Sequence, residues 1–133
     1  MRNRQCEAFF RVWQEKLAPD PEPWAIRFIP SGVIADTIIW RSPMLNRRLG
    51  VAGASLHPWP EAQQVIRPSH IERVEYFHSL ALKTRKPYVF DYDIKIGGEY
   101  VPMRCALNVA WCAACKPGCG LLIGQVFDAD ARP

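Results

Sequence analysis

No apolar run in this 133-residue chain approaches the ~18 residues that a membrane-crossing helix needs. The opening MRNRQCEAFF also lacks the continuous apolar core of a signal peptide. Both absences lead to the expectation of a cytoplasmic protein. There is no phosphate-cradling glycine loop, no nucleophile elbow and no metal-ligand pair at helical spacing, so motif-borne catalysis has little foothold. Basic residues are scattered, with Arg2 and Arg4, Arg47 and Arg48, and Lys83 to Lys86, and no basic face interleaved with aromatics emerges. The net charge of +4 therefore reads as solvated surface, and direct nucleic-acid binding is not expected. Internal repeats and low-complexity tracts are missing as well.

What is present suits one domain. Hydrophobic residues make up 49% and charged ones 23%, a globular balance. The length allows one core and little room for a second. Five cysteines are an odd count, and in the expected compartment they read as thiols rather than disulfides.

Along the chain, Cys6, Phe9, Phe10, Trp13 and Leu17 recur at three- and four-residue spacing, which predicts a short amphipathic helix over 6–17. APDPEP then breaks the chain, so residues 1–22 form a helix plus a proline-rich linker ahead of a domain at 23–133. WAIRFI (24–29) and ADTIIW (35–40) read as strands joined at PSGV. RSPMLNRRLG carries its own helix punctuation: Ser42 can cap, Pro43 suits the first position and Gly50 can end it. Residues 51–68, rich in Gly and Pro, should be irregular or short-helical.

Ser69 with Glu72 three residues later fits a capping box. The helix it opens has Ile71, Val74, Phe77, His78 and Ala81 on its apolar side and runs to about Arg85. YVFDYDIKI alternates cleanly as a strand, Gly97-Gly98 makes a hairpin, and EYVPMRCALNVAW and GLLIGQVFDAD read as two more strands. Strands at both ends with helices between them give an α+β domain with one antiparallel sheet, covered on one face by the inserted helices.

These segments, taken in order, resemble the PAS family of sensory and interaction domains. IIWRSPMLNRRLGV is similar to the family's second strand and the helix that ends in Leu-Gly. VAGASL resembles the Gly-x-Ser-Leu segment that follows. IRPSHIERVEYFHSLALKTRKPYVFDYDIKIGGEYVPMRC resembles the long helix and paired central strands, and GLLIGQVFDAD the closing strand. The likeness spans roughly residues 24–130. Ser69 stands where the family often has Asp, Asp91 takes a Glu position, Asp93 an Arg position, and Pro102 sits where an aromatic is common nearby.

The resemblance implies a five-stranded antiparallel sheet with helices cupping one face. It also implies a sensory or relay module, not an enzyme, of the type found in bacterial signalling proteins. Such a module passes a signal to an attached or partner effector, a kinase, a cyclase or a transcription regulator. A cup lined by Val74, Phe77, His78, Phe90, Tyr92, Met103 and Cys105 would suit a flat ring or another small organic ligand. Haem is disfavoured, because Arg73 matches the proximal-histidine position of the haem-binding subfamily and His70 and His78 do not. Photoactive flavin is disfavoured because residues 51–68 hold no cysteine. No cofactor is the leading expectation, with non-covalent flavin left open. Cys105, on an apolar strand face, reads as a small hydrophobe.

Cys112, Cys115 and Cys119 lie in WCAACKPGCG, where Pro117-Gly118 are favoured central residues of a type II turn. Tetrahedral zinc wants a fourth ligand, and Cys105 lies about 23 Å from Cys112 along an extended strand. The segment reads as a cysteine-bearing hairpin tip, with a metal or redox sensor as the alternative. A second alternative is a cone-shaped α+β isomerase or dehydratase using His78 and an Asp. Finally, the stripe of Phe9, Phe10, Trp13 and Leu17 is a candidate homodimer interface.

Overall fold

The structure, a computed structural model, describes residues 4–29, 37–50, 56–111 and 120–129. The alternating run Tyr88–Ile96 forms β4 and turns at Gly97 and Gly98, whose φ angles of 59° and 84° only glycine adopts freely. It pairs with β5, Glu99–Ala110, in a register that sets Asp91 opposite Arg104. These two form an ion pair with Arg104 Nε 2.7 Å from Asp91 Oδ1, so the substituted strand positions supply their own cross-strand bridge. β5 pairs in turn with β6, Gly120–Asp128.

β6 then pairs with β1, Trp24–Ile29, and β1 with β2, Ile38–Arg41. A three-residue strand β3, Leu56–Pro58, adds to the free edge of β2. Among the described residues the antiparallel sheet thus has six strands in the order β3-β2-β1-β6-β5-β4. The α+β class is as expected. The sixth strand is the difference, and it lies in the Gly/Pro-rich stretch whose composition hides so short a pairing segment.

Helix α2, Pro43–Leu49, has the punctuation its sequence spells out. The Ser42 hydroxyl accepts from the Leu45 N–H at 3.3 Å and from the Trp24 N–H at 2.9 Å, and Gly50 closes the helix at φ 68°. The single-turn helix α3 spans Trp59–Ala62. The long helix α4 runs Ile71–Thr84, but Ser69 does not cap it. Pro68 opens a 3₁₀ turn through His70, which moves the α-helical start past Ser69 and leaves that side chain exposed. His70 instead fixes the start of α4 to the sheet, its Nδ1 accepting from the Asp93 N–H at 2.9 Å. Arg67 adds an ion pair to Asp93 at 2.7 Å.

Strands β1, β2 and β6 are buried on both faces, whereas the outer side of β4 leaves Val89 exposed. On one side α2, α3 and α4 cover Ile29, Ile39, Leu107, Leu122 and Val126. On the other, helix α1, Arg4–Leu17, lies over Ile26, Phe28, Trp40, Leu121 and Ile123. Phe10 stacks on Phe28 with ring centroids 4.8 Å apart. Cys6, buried at the same contact, is disulfide-bonded to a partner outside the described residues. This corrects the expectation of five thiols, and cysteine usage therefore gives no support to a cytoplasmic location. No described helix is long and apolar enough to cross a membrane. The PSGV turn, residues 51–55 and the Cys112–Cys119 segment with its expected turn lie outside the described residues.

Candidate ligand site in the cup

Between the helices and the sheet lies a cavity of about 70 Å³, lined from β1, β2, α2, α3, α4, β4, β5 and β6. Most of its wall is apolar, with Leu45, Leu49, Ile66, Ile94 and Leu122 among the contributors. Four of the expected lining residues meet there: Val74, His78, Tyr92 and Cys105. Three do not. Phe77 and Phe90 stack on each other at 4.7 Å and line a shallow depression with Arg73, Asp91 and Arg104. Met103 is fully buried in the core beside the cavity.

Two residues that periodicity did not single out dominate the chemistry. Arg27 on β1 and Arg41 on β2 are both buried and both line the cavity. Register explains why they share a face. Arg27 stands opposite Ile39 and Arg41 opposite Ala25, so the two arginines are diagonal neighbours on the cup side.

Arg27 is 3% exposed and held on several sides. Its Nε donates to Thr37 Oγ1 at 3.1 Å, and its Nη1 reaches Glu75 Oε1 at 3.2 Å and His78 Nδ1 at 2.8 Å. Its guanidinium lies 4.1 Å from the centre of the Trp59 ring. Nη2 is buried with no hydrogen-bond partner among the described residues. Arg41 donates from Nη2 to the Ala62 carbonyl at 2.9 Å. Burial lowers the pKa of both guanidinium groups, although an arginine so shifted stays charged near neutrality.

His78 is neutral. Its ring packs between Trp59 and Phe90, and burial first, then the Arg27 charge, push its pKa down to about 3. Because a guanidinium only donates, Nδ1 must accept and the ring proton sits on Nε2. The described contacts of His78 include no aspartate. Asp91 pairs with Arg104 and Asp93 with Arg67, so the pair an isomerase-like site requires is not brought together. Cys105 also faces the cavity, and burial pushes its thiol up to about 12. Gly124 makes room for it, since a Cβ there would stand 2.8 Å from Cys105 Sγ.

A twisted antiparallel sheet cupped by short helices, with a small chamber between, is the geometry that comparison with solved structures matches. The PAS domain of BvgS from Bordetella pertussis aligns with a TM-score of 0.67 at 16% identity, covering 94% of this chain and 89% of that one. The chain has the PAS fold. The N-terminal domain of a diguanylate cyclase with a PAS/PAC sensor from Marinobacter aquaeolei aligns at 0.58 and 20% identity, over 79% of this chain and 94% of that one. A Rhodobacter sphaeroides LOV protein aligns at 0.61 and 10% identity, over 98% and 69%. No protein-family model and no curated protein matches the sequence.

LOV proteins among these likenesses mean that the comparisons give no support to disfavouring flavin. The cup's cavity of about 70 Å³ is well below the roughly 300–1,000 Å³ that drug-sized ligands occupy, and Arg27, Arg41 and Trp59 are part of its wall. Among the described residues the chamber is smaller than a flavin ring or haem. Arg73, at the expected haem-ligand position, is exposed and donates to the Asp91 carbonyl at 2.9 Å. Among the described residues no cluster of three or more metal-ligating side chains forms, and Cys112, Cys115 and Cys119 lie outside them.

Proposed function

We propose that this chain is a non-catalytic sensory module that binds a small molecule in its cup and signals the occupancy to an effector. The observation that carries this reading is the cavity itself, because residues from all three covering helices and five of the six strands meet at its wall. An occupant would touch nearly every element of the fold at once, so binding would be felt across the sheet. The outer face, where α1 lies, is the surface through which such a change would reach another domain or protein. A kinase sensory box and a diguanylate cyclase sensor among the similar structures support a kinase, cyclase or comparable regulator as that effector.

Pairing of two copies belongs to the same reading. Phe10 and Leu17 are already buried against their own sheet, but Phe9 and Trp13 are only half-buried and Val12 is 60% exposed. This rim of α1 is the apolar edge a second copy would cover.

A thermal-denaturation screen against small metabolites tests the sensing function. Compounds that stabilise the native chain saturably, but not an Ala62→Leu chain whose added side chain fills the cavity, support it. A screen with no such compound, or with equal effects on both chains, refutes it.

A further inference from the structure

The cup is apolar almost throughout, yet it carries two buried positive charges and no carboxylate in its lining. Arg27 has a counter-ion in Glu75, which sits at the rim with its side chain 31% exposed. Arg41 has no carboxylate partner within ion-pair distance among the described residues, and its one described hydrogen bond is to a neutral carbonyl. His78 adds no negative charge, being neutral. The cup therefore encloses two guanidinium charges but one ion pair, with Glu61, itself held by His57, acting on Arg41 only from beyond ion-pair distance.

Leaving a buried charge uncompensated is costly, and buried cations are ordinarily paired or hydrogen-bonded to an anion. The unpaired Nη2 of Arg27 is a second deficit at the same place. It belongs to a side chain clamped by Thr37, His78 and the Trp59 ring, so that it cannot swing out to water without breaking those contacts. Both deficits are met by one kind of guest: a small anion whose oxygens accept from guanidinium groups and whose remainder is content against aliphatic walls.

We propose that the ligand of this cup is a short-chain monocarboxylate, its carboxylate held by Arg27 and Arg41 and its alkyl end lodged among Leu45, Leu49 and Leu122. Planar carboxylates match the donor fork of arginine, which is why the class is favoured over a spherical halide. A phosphate or sulfate brings more charge and more oxygens than two guanidinium groups in an apolar chamber can satisfy. Size sets the chain length. At about 10–15 Å³ per water-sized probe, a cavity of about 70 Å³ admits only a handful of heavy atoms, as in propionate or butyrate. The inference rests on the reading of the cup as a ligand site and adds the chemical class.

The test is isothermal titration of the full chain with sodium propionate, propionamide and propanol, with sodium chloride at matched ionic strength as the blank. Propionate should bind saturably and at least ~10-fold more tightly than its neutral analogues, a difference expected of a charge-assisted bond. Arg41→Gln should weaken propionate by a similar factor while leaving propanol unchanged, with near-native circular dichroism confirming its fold. Arg27→Lys, which keeps the charge and loses the fork, gives a second variant should the first not fold. If propanol and propionamide bind as well as propionate, the cup binds ligands but the carboxylate class is wrong. If none of the three binds, this inference falls, and the sensing reading stands or falls with the metabolite screen on the native and Ala62→Leu chains.

Discussion

Arg27 Nη1 donates to His78 Nδ1 across 2.8 Å, joining the second cup-facing residue of β1 to the middle of α4. The bond fixes the tautomer of His78, and the adjacent charge opposes its protonation.

This relationship makes stability depend on pH in a defined window. His78 has its folded pKa pushed down to about 3 from an ordinary 6.5. The unfolded chain takes up a proton as pH falls through 6.5, whereas the folded chain resists until about 3. The contribution of His78 is thus fully present above the unfolded value and is lost as pH falls through this interval. Urea denaturation between pH 7 and pH 4 should show stability falling with acid. His78→Gln, whose amide oxygen can still accept from Arg27, should show a slope shallower by about one proton. Identical slopes for the two chains would contradict the assignment.

Gly124 and Cys105 share one space on the cup side of neighbouring strands. Gly124→Ala would bring a Cβ to 2.8 Å from Cys105 Sγ, so it should cost about 1–3 kcal/mol despite the better strand propensity of alanine. Adding Cys105→Ala should recover most of that loss, because removing the sulfur frees the contested volume. A double variant no more stable than Gly124→Ala would show the clash to lie elsewhere.

The Cys105 thiol should also be chemically inert. It is buried, and burial holds its pKa up to about 12, so at pH 8 it is almost wholly protonated. Iodoacetamide under native conditions should leave Cys105 unmodified by peptide mass spectrometry and should alkylate it once the chain is unfolded in urea. Native alkylation at rates comparable to a free thiol would be inconsistent with the packing around Gly124.

Helix α1 is a structural part of the fold. Phe10→Ala removes the ring stacked on Phe28 and should destabilise by about 3–5 kcal/mol, the usual range for a buried Phe. A chain beginning at Pro23 exposes Ile26, Phe28, Trp40, Leu121 and Ile123 together and should self-associate more than the full chain in light scattering. A well-behaved monomer from residue 23 onward would mean that the outer face needs no cover.

Much of the fold was legible because its signals are local. Ser42, Pro43 and Gly50 act where their chemistry says they should, and the alternation of Tyr88–Ile96 gives the strand directly. Ser69 misled because the neighbouring Pro68 favours a 3₁₀ turn, a competition that the spacing of Ser69 and Glu72 does not reveal. The site was half legible. Val74, His78, Tyr92 and Cys105 follow from the faces of their elements, whereas Phe77 and Phe90 satisfy the same periodicity but prefer each other outside the chamber. Arg27 and Arg41 were missed because an arginine in a strand is ordinarily taken for its solvent side. WAIRFI did carry the clue. Its apolar residues fall on both faces, as in a strand buried on both sides, and an arginine inside such a run has no solvent side to occupy.

The claim that the cup is where this PAS fold senses its ligand is tested most directly by methyl-resolved NMR. The titrants are a panel of two- to five-carbon acids, amides and alcohols, added to the full chain. At least one should shift the methyl signals of Leu45, Leu49, Val74, Leu122 and Val126 together and saturably, ahead of those of Leu17 and Leu121 under α1. Shifts confined to the α1 face, or none from any member of the panel, would contradict it.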